Sequence, residues 1–301
     1  MSSPLAGNYY ERITYSGVNK PKPLLSFVRD VSGGAEWRFF LGNKSMHRIT
    51  KSHLESFSKS YGYNNLDEST QFEYFVNYVV LAPRISNSYE LEDVTTDKGD
   101  DGVDGIALII DEELVISDED TVTIFQSGKK NRDVDIVFTQ SKTSESFDLG
   151  DFLKFKESIL RFLTADKYES NDSVQNNSRS AFDVVMKNVP KIRNGKPNII
   201  ARYVTTGIYR KPDALETAKN DFCNQLGELG FFSSVDIEFL GRDEVTALWI
   251  NTYESVSAEI PMFSSAALPP IHGIDEAYLT VVKAKDLVNN LLMKSNQLLP
   301  I

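Results

Sequence analysis

Apolar residues recur along this chain with two different periods, and the order in which those periods alternate predicts its architecture. Phe72, Phe75, Val76, Val79 and Val80 follow helical spacing. Asp67, Glu68 and Ser69 supply capping chemistry ahead of them, and Pro83 stops the run. A weaker helix is predicted over 51–59, ending near Gly62. Residues 103–110 are a continuous apolar run of strand length, as expected of a buried strand. Residues 114–116 and 122–125 read as short strand pieces around an acidic turn, and 135–142 as a second long strand. Leu149, Leu153, Ile159, Leu160 and Leu163 then mark an amphipathic helix. The Asn-, Ser- and Asp-rich stretch 169–180 predicts a surface loop, followed by a helix over 181–188. Strands over 198–205 and 235–240 alternate with helices over 213–227 and 243–253. Residues 261–273 read as a linker or irregular crossing. Upstream, Trp37-Arg38-Phe39-Phe40-Leu41 is strand-like between glycine-bearing turns. Strands alternating with helices predict an α/β protein, a sheet covered on its faces by helices, with an N-terminal β-containing extension.

The candidate chemistry lies where the two long strands meet. In a strand, residues i and i+2 share a face. Gln140 and Lys142 therefore project together, on the side of Phe138, while Ser141 points away. Asp104, between Gly102-Val103 and Gly105, opens the neighbouring strand and brings a carboxylate alongside them. A carboxylate, an amide oxygen and an ammonium at one sheet edge suit a divalent cation and an activated water. Each also has a plainer reading: a turn aspartate, a polar strand residue, and an exposed lysine whose stem lies over the sheet. Against the first, a carboxylate at the mouth of an apolar strand is costly unless solvated or bound to a cation. Asp101 competes for the role of Asp104, and Glu145 is close in sequence to Lys142.

Composition narrows the setting. The chain has 301 residues, 41% hydrophobic and 25% charged, an ordinary globular balance. No apolar run reaches the roughly 20 residues of a membrane span, and the polar start is unlike a secretory signal, so a cytoplasmic location is expected. One cysteine, Cys223, excludes an intramolecular disulfide and a cysteine zinc site. His47, His53 and His272 have no metal-binding spacing. The acidic runs 111–113 and 118–120 read as solvated charge in hairpin loops and lack EF-hand spacing. A net charge of −11 disfavours nucleic-acid binding unless cations gather on one face. Lys129, Lys130 and Arg132 are most simply a hairpin turn; alternatively they contact phosphate, in a surface extended by Lys154 and Lys156 and by Lys191, Arg193 and Lys196.

The order of helix, Gly-x-Asp-Gly strand and Gln-x-Lys strand followed by a helix resembles the restriction-endonuclease-like fold. This is the PD-(D/E)xK nuclease superfamily, in the variant with Gln at the second acidic position. More narrowly, four phrases resemble the abortive infection phage resistance (AIPR) family: residues 71–78, 101–107, 138–144 and Tyr203-Val204-Thr205-Thr206-Gly207. The resemblance covers about residues 67–250. It implies a mixed β-sheet core flanked by helices, an extension over 1–62, a nuclease-like domain over 63–255, and a linker with the start of a further region over 256–301. That family usually runs longer, so the resemblance also implies a fragment. It implies Mg²⁺ or Mn²⁺ held by Asp104 and the Gln140 oxygen, with Glu73 on the first core helix as a second carboxylate. Lys142 would orient the attacking water. Replacing a carboxylate by Gln140 removes one negative charge and weakens the hold on a hard cation. The expected partner is nucleic acid, DNA in the first instance, with a phage protein as a trigger and a homodimer as an option. The rival expectations are a silent module that binds nucleic acid and a sensor of a phage protein.

Overall fold

The structure, a computed structural model, describes residues 28–29, 35–36, 46–97, 102–253, 261–268, 278–289, 293–294 and 297–298. The strand expected at Trp37-Arg38-Phe39-Phe40-Leu41, and Asp101, lie outside them. The chain forms two units, Met1–Ser45 and Met46–Ile301. In the first, β1 (Val28–Arg29) pairs antiparallel with β2 (Ala35–Glu36). Residues 46–62, expected in the extension, belong to the larger unit because α1 (Arg48–Tyr61) packs Phe57 on Phe75 of α2 (Glu68–Leu81), with ring centroids 5.3 Å apart.

The larger unit is α/β. Its sheet has the order β4-β3-β5-β6-β7, built from β3 (Gly105–Ile110), β4 (Glu113–Val115), β5 (Val134–Lys142), β6 (Asn198–Thr205) and β7 (Ser234–Leu240). β3 runs antiparallel to β4 and β5, while β5, β6 and β7 are mutually parallel. Every residue of β3 is buried, because helices cover both faces. On one face α4 (Leu149–Thr164), α5 (Ser173–Lys187) and α6 (Asp213–Leu229) place Phe152, Phe155, Phe182 and Phe222 on Ile136, Phe138, Ala201 and Tyr203. On the other, α1, α2 and α7 (Arg242–Tyr253) bring Phe57, Phe75 and Trp249 over Ile109, Val137 and Val204.

Three stretches depart from expectation. Between β4 and β5 lies a helix, α3 (Asp118–Gln126), where strand pieces and an acidic hairpin turn were expected. Ser117 caps it by accepting the Asp120 N–H at 3.1 Å, and Asp118, Glu119 and Asp120 fill its first turn, where carboxylates oppose the positive end of the helix dipole. The expected loop over 169–180 contains the start of α5, capped by Asp172, which accepts from Gln175 N at 2.8 Å. Its buried positions Gln175, Ser178, Ala181, Phe182 and Val185 do recur helically, but the first two are polar. Within 261–273, β8 (Met262–Ala267) pairs with β9 (Tyr278–Val282).

Candidate functional site

The site is built on the end of the sheet where β5 and β6 finish. The antiparallel register pairs Gly105 with Thr139, which sets Asp104 opposite Gln140, and the Asp104 N–H donates to the Thr139 carbonyl at 2.8 Å. From the far side, Asn77 of α2 donates to the Asp104 carbonyl at 3.1 Å and to Thr95 Oγ1 at 2.9 Å, and it accepts from the Thr139 hydroxyl. This clamp needs a glycine at 105: a Cβ there would lie 2.7 Å from Asn77 Cγ. Gly102, at φ +69°, sets the loop on α4, close to the backbone of Lys154 and Phe155. The two glycines of the Gly-x-Asp-Gly phrase thus aim one carboxylate between two helices.

Asp104 Oδ2 accepts three hydrogen bonds: Gln140 Nε2 at 2.8 Å, Ser141 N at 2.7 Å and Ser141 Oγ at 3.0 Å. Ser141, expected to point away, reaches Asp104 because the carboxylate lies across the strand end and meets both of its faces. Even so, burial pushes the Asp104 carboxyl well above the usual carboxylate range; the Ser141 N–H, the Lys142 charge, the Ser141 hydroxyl and the Gln140 amide oppose it without winning. Gln140 is almost fully buried, and its Nε2 also faces the Ser141 carbonyl at 3.3 Å. With both acceptors on that side the amide orientation is electrostatically determined. It leaves Oε1 buried without a hydrogen-bond partner. A buried acceptor without a donor is expensive, and a cation or a donor at Oε1 would remove the cost.

The chain matches no family model, no curated protein and no solved structure. The site is therefore read from its own geometry. Asp104, Gln140 and Lys142 come together as the sequence predicts, with Lys142 half-buried and its charge acting on Asp104. Glu73 is half-buried one turn before Asn77 and accepts from Ser69 Oγ at 3.3 Å. Among the described residues no three His, Cys, Asp or Glu side chains gather into a metal-ligand group. Glu145 is exposed on the β5–α4 loop.

Five of the eight cations expected to contact phosphate are engaged by other groups of the protein. Arg132 is buried and pairs with Asp111, donates to the Ile124 carbonyl at 2.6 Å and sits 6.0 Å from the Phe125 ring centre. Lys129 also pairs with Asp111, at 2.9 Å, and Lys156 is buried against Asp221. Lys191 donates to the Phe125 carbonyl at 2.8 Å, and Arg193 pairs with Asp133. Arg132→Ala is expected to lower stability by about 2–3 kcal/mol, somewhat less than a fully buried pair because Asp111 retains some exposure, as read by urea unfolding. Lys130 and Lys154 remain exposed. So do Arg210 and Lys211, in the loop leaving β6 at the same sheet edge. That basic pair, three residues beyond Thr205-Thr206-Gly207, was the sequence signal for it.

Among the described residues no helix is long and apolar enough to cross a membrane.

Proposed function

We propose that this protein hydrolyses nucleic-acid phosphodiesters, DNA first, with Mg²⁺ or Mn²⁺, in bacterial anti-phage defence. The observation that carries the reading is the unpartnered Gln140 carbonyl oxygen beside a buried carboxylate that desolvation disfavours in its charged form. A divalent cation would relieve both, so the residues fit the group. Asp104 and Gln140 Oε1 would hold it, with the neighbouring Ser141 carbonyl as a neutral oxygen and Glu73 as the second carboxylate brought by α2. When bound, the ion supplies Lewis-acid polarisation of a phosphate and lowers the pKa of a water. Lys142, on the same face as Gln140, orients the attacking water and offsets charge developing on the phosphate oxygens. Lys154, Arg210 and Lys211 are exposed cations that would position the nucleic-acid backbone. The defence setting rests on the resemblance of the four phrases alone.

The test is cleavage of plasmid DNA and labelled RNA with Mg²⁺, with Mn²⁺ and with EDTA. Lys142→Ala is expected to lose roughly 10²–10³-fold in rate while staying folded. Full activity in that variant would sink the mechanism. A second reading, a silent domain that binds nucleic acid or senses a phage protein, is favoured by one observation: among the described residues no group of three His, Cys, Asp or Glu side chains gathers to hold a metal. Metal-independent binding without turnover would support it.

A further inference from the structure

Nothing in the proposed hydrolysis uses Tyr203, which opens the run Tyr203-Val204-Thr205-Thr206-Gly207. It pairs in register with Gln140, and residues paired across neighbouring strands share a sheet face. Its ring is fully buried, with centroids 5.8 Å from Phe152, 6.2 Å from Phe155 and 5.8 Å from Phe239. Its hydroxyl is buried as well and closes no full hydrogen bond, although the Asp148 backbone N–H is near enough to act on the oxygen. An N–H on that side faces a lone pair, which leaves the hydroxyl proton to be donated elsewhere. Burial above all, and then the charges of Asp151, Asp148 and Asp104, hold this group in the protonated form. The hydroxyl therefore lies on the acidic side of the site, by the first turn of α4.

Packing does not account for that hydroxyl. A phenylalanine would keep the aromatic contacts and avoid burying a polar atom without a partner. The matching feature on the next strand is Gln140 Oε1, a buried acceptor without a donor. The residues that carry this donor and this acceptor are register partners on adjacent strands.

We propose that Tyr203 is a positioning residue of the cation site, its hydroxyl donating through one water to the shell around Gln140 Oε1 and so holding that oxygen in place for the ion. Groups that orient a metal ligand from behind are commonly worth 10–100-fold in affinity. The inference rests on the proposed function, and its test separates the two. Mn²⁺ binding is measured by calorimetry for the wild type, Tyr203→Phe and Asp104→Ala, with a thermal midpoint for each. Tyr203→Phe is expected to bind Mn²⁺ about tenfold more weakly with an unchanged or higher midpoint, and Asp104→Ala to bind none. Unchanged affinity in Tyr203→Phe beside lost binding in Asp104→Ala overturns the role of Tyr203 and leaves the cation site standing. A midpoint that falls together with affinity in Tyr203→Phe also overturns it, since the hydroxyl would then be structural. No Mn²⁺ binding by the wild type overturns both readings.

Discussion

Asp104→Asn is expected to stabilise the metal-free protein while removing cation binding and at least about 10³-fold of cleavage. The two effects share one cause. The Asp104 carboxyl is buried, and its folded pKa is raised by desolvation despite the Ser141, Lys142 and Gln140 groups around it. Above the usual carboxylate pKa of about 4 the unfolded chain gives up this proton while the folded chain still holds it. The folded state then binds more protons than the unfolded state, so this group makes stability fall as pH rises from about 4 through the raised folded value. Asparagine carries no such charge, yet it still offers an oxygen to Ser141 N and Gln140 Nε2. The expected gain at neutral pH is roughly 0.5–2 kcal/mol, the usual size of a single stabilising substitution. It should shrink toward zero near pH 4, as read by urea unfolding of both proteins across pH. Mn²⁺ affinity of the wild type should rise about tenfold per pH unit below the folded pKa, because ion and proton compete for one carboxylate. A variant less stable than wild type at pH 7 would show that the Asp104 charge is compensated inside the protein without a cation.

How much of this was legible beforehand depends on which signal each segment carried. The strands β3, β5, β6 and β7 and the helices α2, α4, α6 and α7 follow apolar periodicity, and their predicted bounds agree with the structure to within about two residues. α3 and the first half of α5 were hidden because their evident composition was acid, Asn and Ser, which reads as loop. Their caps were nonetheless visible: Ser117 ahead of three acids, and Asp172 three residues before Gln175. The convergence of Asp104, Gln140 and Lys142 was legible because a period of two and an adjoining strand suffice to place them. The reach of Ser141 to Asp104 was not, since it depends on Asp104 lying beyond the end of β3. Nor could spacing tell that Arg132 turns inward: Asp111, its partner, is 21 residues away. Charge in a sequence gives no direction, and here five of the expected phosphate contacts point into ion pairs or carbonyl oxygens.

Gly207→Ala is expected to destabilise the protein by roughly 3–5 kcal/mol, although residue 207 follows the last strand residue facing the site by only two positions. The loops leaving β5, β6 and β7 meet there. Thr206 N donates to the Ser144 carbonyl at 3.2 Å, and its hydroxyl donates to the Thr143 carbonyl at 2.8 Å. The Gly207 carbonyl accepts from Arg242 N at 2.8 Å, at the start of α7. A Cβ on residue 207 would sit 2.7 Å from the Glu145 carbonyl carbon, and still closer to its oxygen. The obstacle is main chain, so no rotamer can relieve it. Either the 143–147 loop or the 206–209 loop must move, and the two Thr206 hydrogen bonds are lost, at about 1 kcal/mol each. Forced overpacking adds about 1–3 kcal/mol. Because the 143–147 loop carries the chain from Lys142 into α4, displacing it also moves Lys142 against Asp104. Mn²⁺ affinity should therefore fall with stability in Gly207→Ala, whereas in Tyr203→Phe the two should separate. A Gly207→Ala protein as stable as wild type would mean that these loops yield freely, and that the strand ends alone hold the site together.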